Sequence, residues 1–283
     1  MIIVMDFPLH DLVGLRNRAT DAIRKHSNIQ ASIAIILGSG LGELANEIDI
    51  DAAIDYADIP GFVGSTAPGH SGRLLLGSLA GKKVVAMQGR SHLYEGLTAA
   101  QVAFPVRVMH ALGAHSLIVS NACGGLNTTF QAGDLMLQVD FINMTSDNAL
   151  IGPNDPALGS RFPVMFDCYD ATYLKLARKV AQDQGITLRE GVYLAFSGPT
   201  YATRAELRFY QRMGVDAVGM STVHEVAVAR HEGMRVLGIS SVTDLAQPDS
   251  HEHATGDDVV AMAKQIGPRF RALVKGVLAD MPD

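Results

Sequence analysis

This 283-residue chain gathers its lysines and arginines into no basic run, and its formal net charge is −6. Without a positive patch it has no electrostatic handle on a phosphate backbone or an acidic membrane surface, so neither nucleic acid nor membrane is expected as a partner. Long apolar runs are missing too; a membrane-spanning helix needs about 20 predominantly apolar residues, and no stretch provides them. Cysteine occurs only at Cys123 and Cys168, which excludes a disulfide-stapled scaffold and fits a reducing compartment. The opening Met1-Ile2-Ile3-Val4-Met5-Asp6 is too short for a signal peptide and lacks a basic flank, so the expected location is the cytoplasm. What is present is an ordinary globular composition, 48% hydrophobic and 18% charged, which argues against disorder and for a small-molecule partner.

Leu9, Leu12, Leu15, Ala19, Ala22 and Ile23 recur at helical spacing and predict an amphipathic helix over roughly 8 to 27. Ile33-Ala34-Ile35-Ile36-Leu37 reads as a fully buried strand. Leu74 to Leu79 and Val84 to Met87, joined by Ala80-Gly81-Lys82, read as a hairpin. A helix is expected from about Ala99 to Leu112, bent or started late by Pro105. Strands follow at Leu117 to Ser120 and near Leu135 to Val139, then a long loop from Ser146 to Tyr169 containing Pro153, Pro156 and Pro163. Loops of that length are usually functional. Helices near 171–184, 204–213, 222–231 and 257–278 and strands near 192–196 and 236–242 complete the pattern. The alternation predicts an α/β fold, a single domain over 1–283 with a mixed central β-sheet flanked by helices.

The chemistry-bearing residues cluster where strands should end. Gly38-Ser39-Gly40-Leu41-Gly42 follows a buried strand and can wrap an anion with backbone amides and a hydroxyl. It is not a dinucleotide fingerprint, because the third glycine comes one residue early and Asp58 lies in a turn-like segment; no Gly-Lys-Ser/Thr ending follows either. Alone it reads equally well as a tight turn. Gly69-His70-Ser71-Gly72-Arg73, Gly89-Arg90-Ser91-His92-Leu93-Tyr94-Glu95-Gly96 and Ser120-Asn121-Ala122 are also richer in polar residues than turns require. Arg90 has a planar fork suited to two phosphate oxygens, His70 and His92 can each donate a hydrogen bond, and Glu95 can hold His92 in one tautomer. A lone histidine is ordinarily a satisfied surface or core residue; the clustering with Arg90 is what favours function. His251-Glu252-His253 with Asp257 and Asp258 lacks a metal-ligand spacing, so no metal is expected. No Gly-x-Ser-x-Gly elbow is present, and Cys123 reads as a small buried residue.

Taken in order, the glycine loop at 38–42, Pro68 to Arg73, Gln88 to Gly96, Asn121-Ala122-Cys123-Gly124-Gly125-Leu126-Asn127 and Val218-Gly219-Met220-Ser221-Thr222-Val223 closely resemble the motifs of the trimeric purine nucleoside phosphorylases. The resemblance covers nearly the whole chain. It implies a phosphate site of Ser39, His70, Arg90, His92, Ala122 through its amide, and Ser221. It puts Tyr94 and Met220 on the ribose, with His253 toward the 5′ end, although His251 or Gly256 can also fill that position. Phe162 is similar to the family's aromatic that reaches a neighbouring subunit's sugar pocket, which implies a homotrimer, and Tyr201 would lie against the purine. Arg90, His92 and Asp244 would stand nearest the reaction, in which phosphate attacks the anomeric carbon of an oxocarbenium-like state and the purine departs. Phosphate is then a co-substrate, and no metal or organic cofactor is implied.

Two base-side positions depart from the pattern. Where the 6-oxopurine enzymes carry a Glu after the aromatic, this chain has Ala202, and Asp244 replaces the usual Asn. An ionised carboxylate only accepts hydrogen bonds, which suits a 6-amino group or a protonated N7. The segment from Thr243-Asp244 to His251-Glu252 is similar instead to the methylthioadenosine phosphorylases, the principal alternative. A nicotinamide-dependent oxidoreductase is disfavoured by the missing glycine and ribose-binding acid, and a non-catalytic purine binder by the intact phosphate set.

Overall fold

The computed structural model describes residues 7–39, 41–66, 71–250 and 254–282. Its central strand, β1 (Ile33–Leu37), is buried at every position, as a strand covered on both faces must be. Antiparallel β2 (Asp49–Asp55), β3 (Arg73–Leu79) and β4 (Lys82–Gln88) extend the sheet on one side, with β4 parallel to β1. On the other side β1 runs parallel to β5 (Ser116–Gly125). Beyond it lie β6 (Leu135–Met144), β7 (Leu188–Phe196), β8 (Ala217–Gly219) and β9 (Arg235–Leu245). The order β5-β8-β7-β6-β9, together with direct β5–β9 pairing, closes these strands into a small barrel. Helix α1 (Leu12–Arg24) packs on α2 (Ala99–Ala111), α3 (Ala171–Asp183) on the last helix, α6 (Gly256–Asp280), and α2 on α5 (Val223–His231). Helix α4 (Arg204–Arg212) follows the β7 turn. The mixed α/β arrangement agrees with the sequence expectation.

Boundaries differ from it in instructive ways. Helix α2 starts no later for containing Pro105: Thr98 and Gln101 form a reciprocal capping box that fixes its first turn at Ala99. Strands β5, β6 and β9 run well beyond their apolar stretches, because the barrel supplies backbone partners to polar residues such as Asn121, Asn143 and Asp244. Neither β2, a largely exposed edge strand in which three of seven residues are aspartate and no clean apolar period shows, nor β8, which has only three residues, is expected from the sequence. The loop between β6 and α3 is long, as expected.

The topology decides where chemistry can sit. β1, β4, β5 and β9 all run in the same direction, so the segments leaving their carboxyl ends meet at one edge. Gly38-Ser39, Gly89-Arg90, Asn121-Ala122 and Asp244 arrive together there. Gly38 must be glycine: a Cβ would lie 2.7 Å from the Ser120 carbonyl oxygen and 2.8 Å from Asn121 Cα.

Candidate active site

A cavity of about 320 Å³ opens at this edge. Of the residues expected on phosphate, Ser39, Arg90, His92, Ala122 and Ser221 all line it. Tyr94, Met220, Tyr201, Ala202 and Asp244 line it as well. His70, His251 and His253 lie outside the described residues. Among the described residues that line the cavity Phe162 is missing; it is 83% exposed on the long loop.

Arg90 is held from behind. Its Nη1 donates to Thr222 Oγ1 at 3.1 Å and to Glu225 Oε2 at 3.0 Å, and its Nη2 donates to the Ser120 carbonyl. Both members of the Arg90–Glu225 pair are only 1% exposed. Asn121 Nδ2 donates to the same Thr222 hydroxyl at 2.7 Å, and Ser221 Oγ lies 3.2 Å from it. Thr222 therefore joins the residues of three segments. Its backbone sits at φ 79° and ψ −49°, and the Val223 amide donates to the Ser221 carbonyl at 3.0 Å, a tight three-residue turn that a β-branched residue seldom adopts. This turn sets Ser221 at the amino end of α5, where free amides and the helix dipole favour an anion.

His92 is oriented by Glu95 as the sequence suggests. The Glu95 carboxylate accepts from the His92 backbone amide at 2.7 Å and lies 3.1 Å from Nδ1. Burial works against the charge on Glu95, but hydrogen bonds from His92 and from the Thr66 backbone and hydroxyl prevail and hold its pKa at about 2. The Glu95 contact at Nδ1 fixes the ring's orientation where it borders the cavity. The His92 and Tyr94 rings stack at 4.6 Å. Burial, followed by the Glu95 charge, pushes the Tyr94 hydroxyl up to about 12, so it serves as a neutral hydrogen-bonding group.

Asp244 owes its place to a bulge. Between Cys123 and Gly124 the β5–β9 register slips by one residue, leaving Thr243 out of the register, and Thr243 and Asp244 both border the cavity. Thr243 Oγ1 bridges the Cys123 carbonyl at 3.2 Å and Asp244 Oδ1 at 3.0 Å. Burial raises the Asp244 pKa, and the threonine bond only partly offsets it. Around it the wall is mostly apolar, with Phe196, Val218 and Leu245, and Tyr201 is 59% exposed at the mouth. Cys123 is buried and its thiol pushed well up by burial, which fits a packing role. Asp258 accepts from Thr255 in the capping box that starts α6.

Sequence reasoning missed Thr222, Glu225 and Tyr56, whose hydroxyl donates to the Gly89 carbonyl at 2.7 Å beside Arg90. Glu225 had a faint signal: an acidic residue in the first turn of a helix, directly before the apolar run Val226-Ala227-Val228-Ala229. Thr222 had none, since its role depends on a backbone conformation that threonine does not advertise.

The phosphorylase superfamily model matches residues 32–279. The chain is 50% identical over 262 residues to purine nucleoside phosphorylase 1 of Bacillus subtilis, covering 93% of this chain and 97% of that protein. It is 43% identical to purine nucleoside phosphorylase of Bos taurus over 264 residues, covering 91% of each. The crystal structure of Schistosoma mansoni purine nucleoside phosphorylase in complex with adenosine superposes with a TM-score of 0.91 at 39% identity, covering 96% of this chain and 98% of that one. A match over most of the length, joined to a cavity assembled from the same strand ends that carry the motifs, places this chain in the phosphorylase superfamily.

Proposed function

We propose that the chain cleaves purine nucleosides with inorganic phosphate, giving the free base and ribose 1-phosphate. The single observation that carries this reading is the convergence of Ser39, Arg90, His92, Ala122 and Ser221 on one end of a cavity whose other end is apolar and flanked by Tyr201 and Asp244. Phosphate lies against the first group, with Arg90 as the charged donor and the His92 ring, the two serine hydroxyls and the Ala122 amide as directional ones. Tyr94 and Met220 border the sugar between the two ends. Attack on the anomeric carbon places an anion beneath a developing cation, and positioning plus electrostatics account for the catalysis without a cofactor. Asp244 faces the departing base.

Phe162, Val164 and Phe166 are 83%, 68% and 85% exposed on the long loop, more apolar surface than one loop of a lone chain usually shows. This supports a homotrimer in which Phe162 completes a neighbour's sugar pocket; the two isolated cysteines favour a cytoplasmic location.

A second reading concerns the base. Ala202 offers no acceptor and Asp244 no fixed donor when ionised, which favours 6-aminopurine nucleosides, including a methylthioadenosine-type substrate, over 6-oxopurines. The test of the function is turnover of inosine, adenosine and methylthioadenosine with phosphate present and absent. Base release that continues without phosphate, or that yields free ribose, overturns the proposal.

A further inference from the structure

Glu225 does more than the phosphate reading requires. A buried Arg–Glu pair is a poor way to gain stability, because desolvating two charges costs about as much as their attraction returns. Arg90 already has the Thr222 hydroxyl and the Ser120 carbonyl to hold its guanidinium in place. Moreover, Glu225 Oε1 is buried and accepts from no described residue, an expense that a purely structural strut would avoid. What the carboxylate adds is charge. Arg90 is the only lysine or arginine among the described residues at the phosphate end of the cavity, and the amino end of α5 adds roughly half a positive charge there.

We propose that Glu225 is a positioning residue that sets the net charge of the phosphate end, cancelling Arg90 so that the site binds the anion without opposing the cation that develops on the sugar. This rests on the placement of phosphate beside Arg90 proposed above. An uncompensated guanidinium would hold phosphate more tightly before reaction and, in the same low-dielectric cavity, raise the energy of the oxocarbenium-like state. Neutralising it trades phosphate affinity for turnover.

Glu225→Gln keeps the shape and an amide oxygen for Arg90 but removes the charge, so phosphate should bind more tightly while turnover falls. We expect the phosphate KM, and the phosphate dissociation constant by calorimetry, to fall by about threefold to tenfold, and kcat to fall by about tenfold. Glu225→Asp, which keeps the charge, should recover most of kcat. A strut without an electrostatic role gives the opposite sign, with Arg90 loosened and the phosphate KM raised. The companion measurement is Arg90→Ala alone and with Glu225→Gln. The single change strands a buried anion beside phosphate, so adding Glu225→Gln should restore phosphate affinity by about tenfold. Because the double variant buries no unpaired charge, it carries the test even if Glu225→Gln alone does not fold. A phosphate KM for Glu225→Gln equal to or above wild type, or a double variant no better than Arg90→Ala, overturns the proposal. Arg90→Ala with unchanged phosphate dependence instead overturns the placement of phosphate.

Discussion

At one end of the cavity Arg90 is braced by Glu225, Thr222 and Ser120, and His92 is braced by Glu95. At the other end Ala202 presents a methyl group, Tyr201 is more than half exposed, and among the described residues Asp244 accepts a side-chain hydrogen bond from Thr243 alone. The first end is over-determined: several elements fix each donor, so moving one disturbs the rest. The second is a shaped apolar wall with one polar group, where a substitution changes which base fits without disturbing the scaffold. On the proposed reading, reaction and specificity fall to different groups of residues in the one cavity, and these should respond to mutation differently.

The largest effect should come from the braced end. Arg90→Ala should weaken phosphate by about 2 kcal/mol or more, roughly thirtyfold in its KM, because a charged donor is lost from a desolvated site. Nucleoside KM should change far less. Equal losses for both substrates in steady-state kinetics would erase the division between the two ends.

A smaller effect is expected at Phe162, proposed above to complete a neighbouring subunit's cavity. Phe162→Ala should raise the nucleoside KM by about tenfold, roughly 1.4 kcal/mol for a lost aromatic contact, and leave the phosphate KM unchanged. Light scattering should show about three chains per particle, as the proposed assembly requires. A fully active monomer would contradict it.

Glu95→Gln tests the bracing itself. The folded pKa of Glu95, about 2, lies below its ordinary 4.5, so its contribution to stability is fully present above 4.5 and is lost as pH falls toward 2. The variant should lose about 1 kcal/mol at neutral pH. The gap from wild type should close across that acid window, read by urea unfolding at several pH values. A constant gap would mean that the bonds to His92 and Thr66 do not depend on the charge.

How much of this was legible in the sequence differs between the two ends as well. The α/β pattern could be read because β1 and the helices carry clean periodicities, and the phosphate loops because glycines and polar residues crowd together at strand ends. Most residues that brace that end were not legible. Glu225 and Tyr56 act across more than 30 residues of sequence, and Thr222 works through a positive φ that its side chain disfavours. At the base end the residues Ala202 and Asp244 stood out, but their exposure to the cavity did not, since the bulge that turns Thr243 and Asp244 toward it leaves no mark in composition. Edge strand β2 hid for the reverse reason: solvent covers most of it, so no apolar period was needed to form it.

The finest distinction between the ends lies in Asp244, and its expected effect is the smallest. An ionised carboxylate facing a 6-amino group makes a charge-assisted bond, whereas facing a 6-oxo group it sets acceptor against acceptor. Burial raises the Asp244 pKa, so the acid form, which can donate to a 6-oxo oxygen, persists to higher pH than for an ordinary aspartate. The sign follows from this. As pH rises through that raised value the group passes from donor to acceptor, and the ratio of kcat/KM for adenosine to that for inosine should rise with it. Solvent reaching past the exposed Tyr201 blunts the penalty for a mismatched pair, so Asp244→Asn should shift the ratio toward inosine by only about threefold to tenfold. The amide cannot titrate, so in the variant the ratio should also become independent of pH. Adding Ala202→Glu should extend the shift to guanosine by giving its N1 and 2-amino hydrogens an acceptor. The measurement is the adenosine-to-inosine ratio from pH 5 to 8 for both proteins, a window on the order of that in which most native proteins stay folded. A ratio that is flat in the wild type and unmoved by Asp244→Asn would show that the base end discriminates by shape alone.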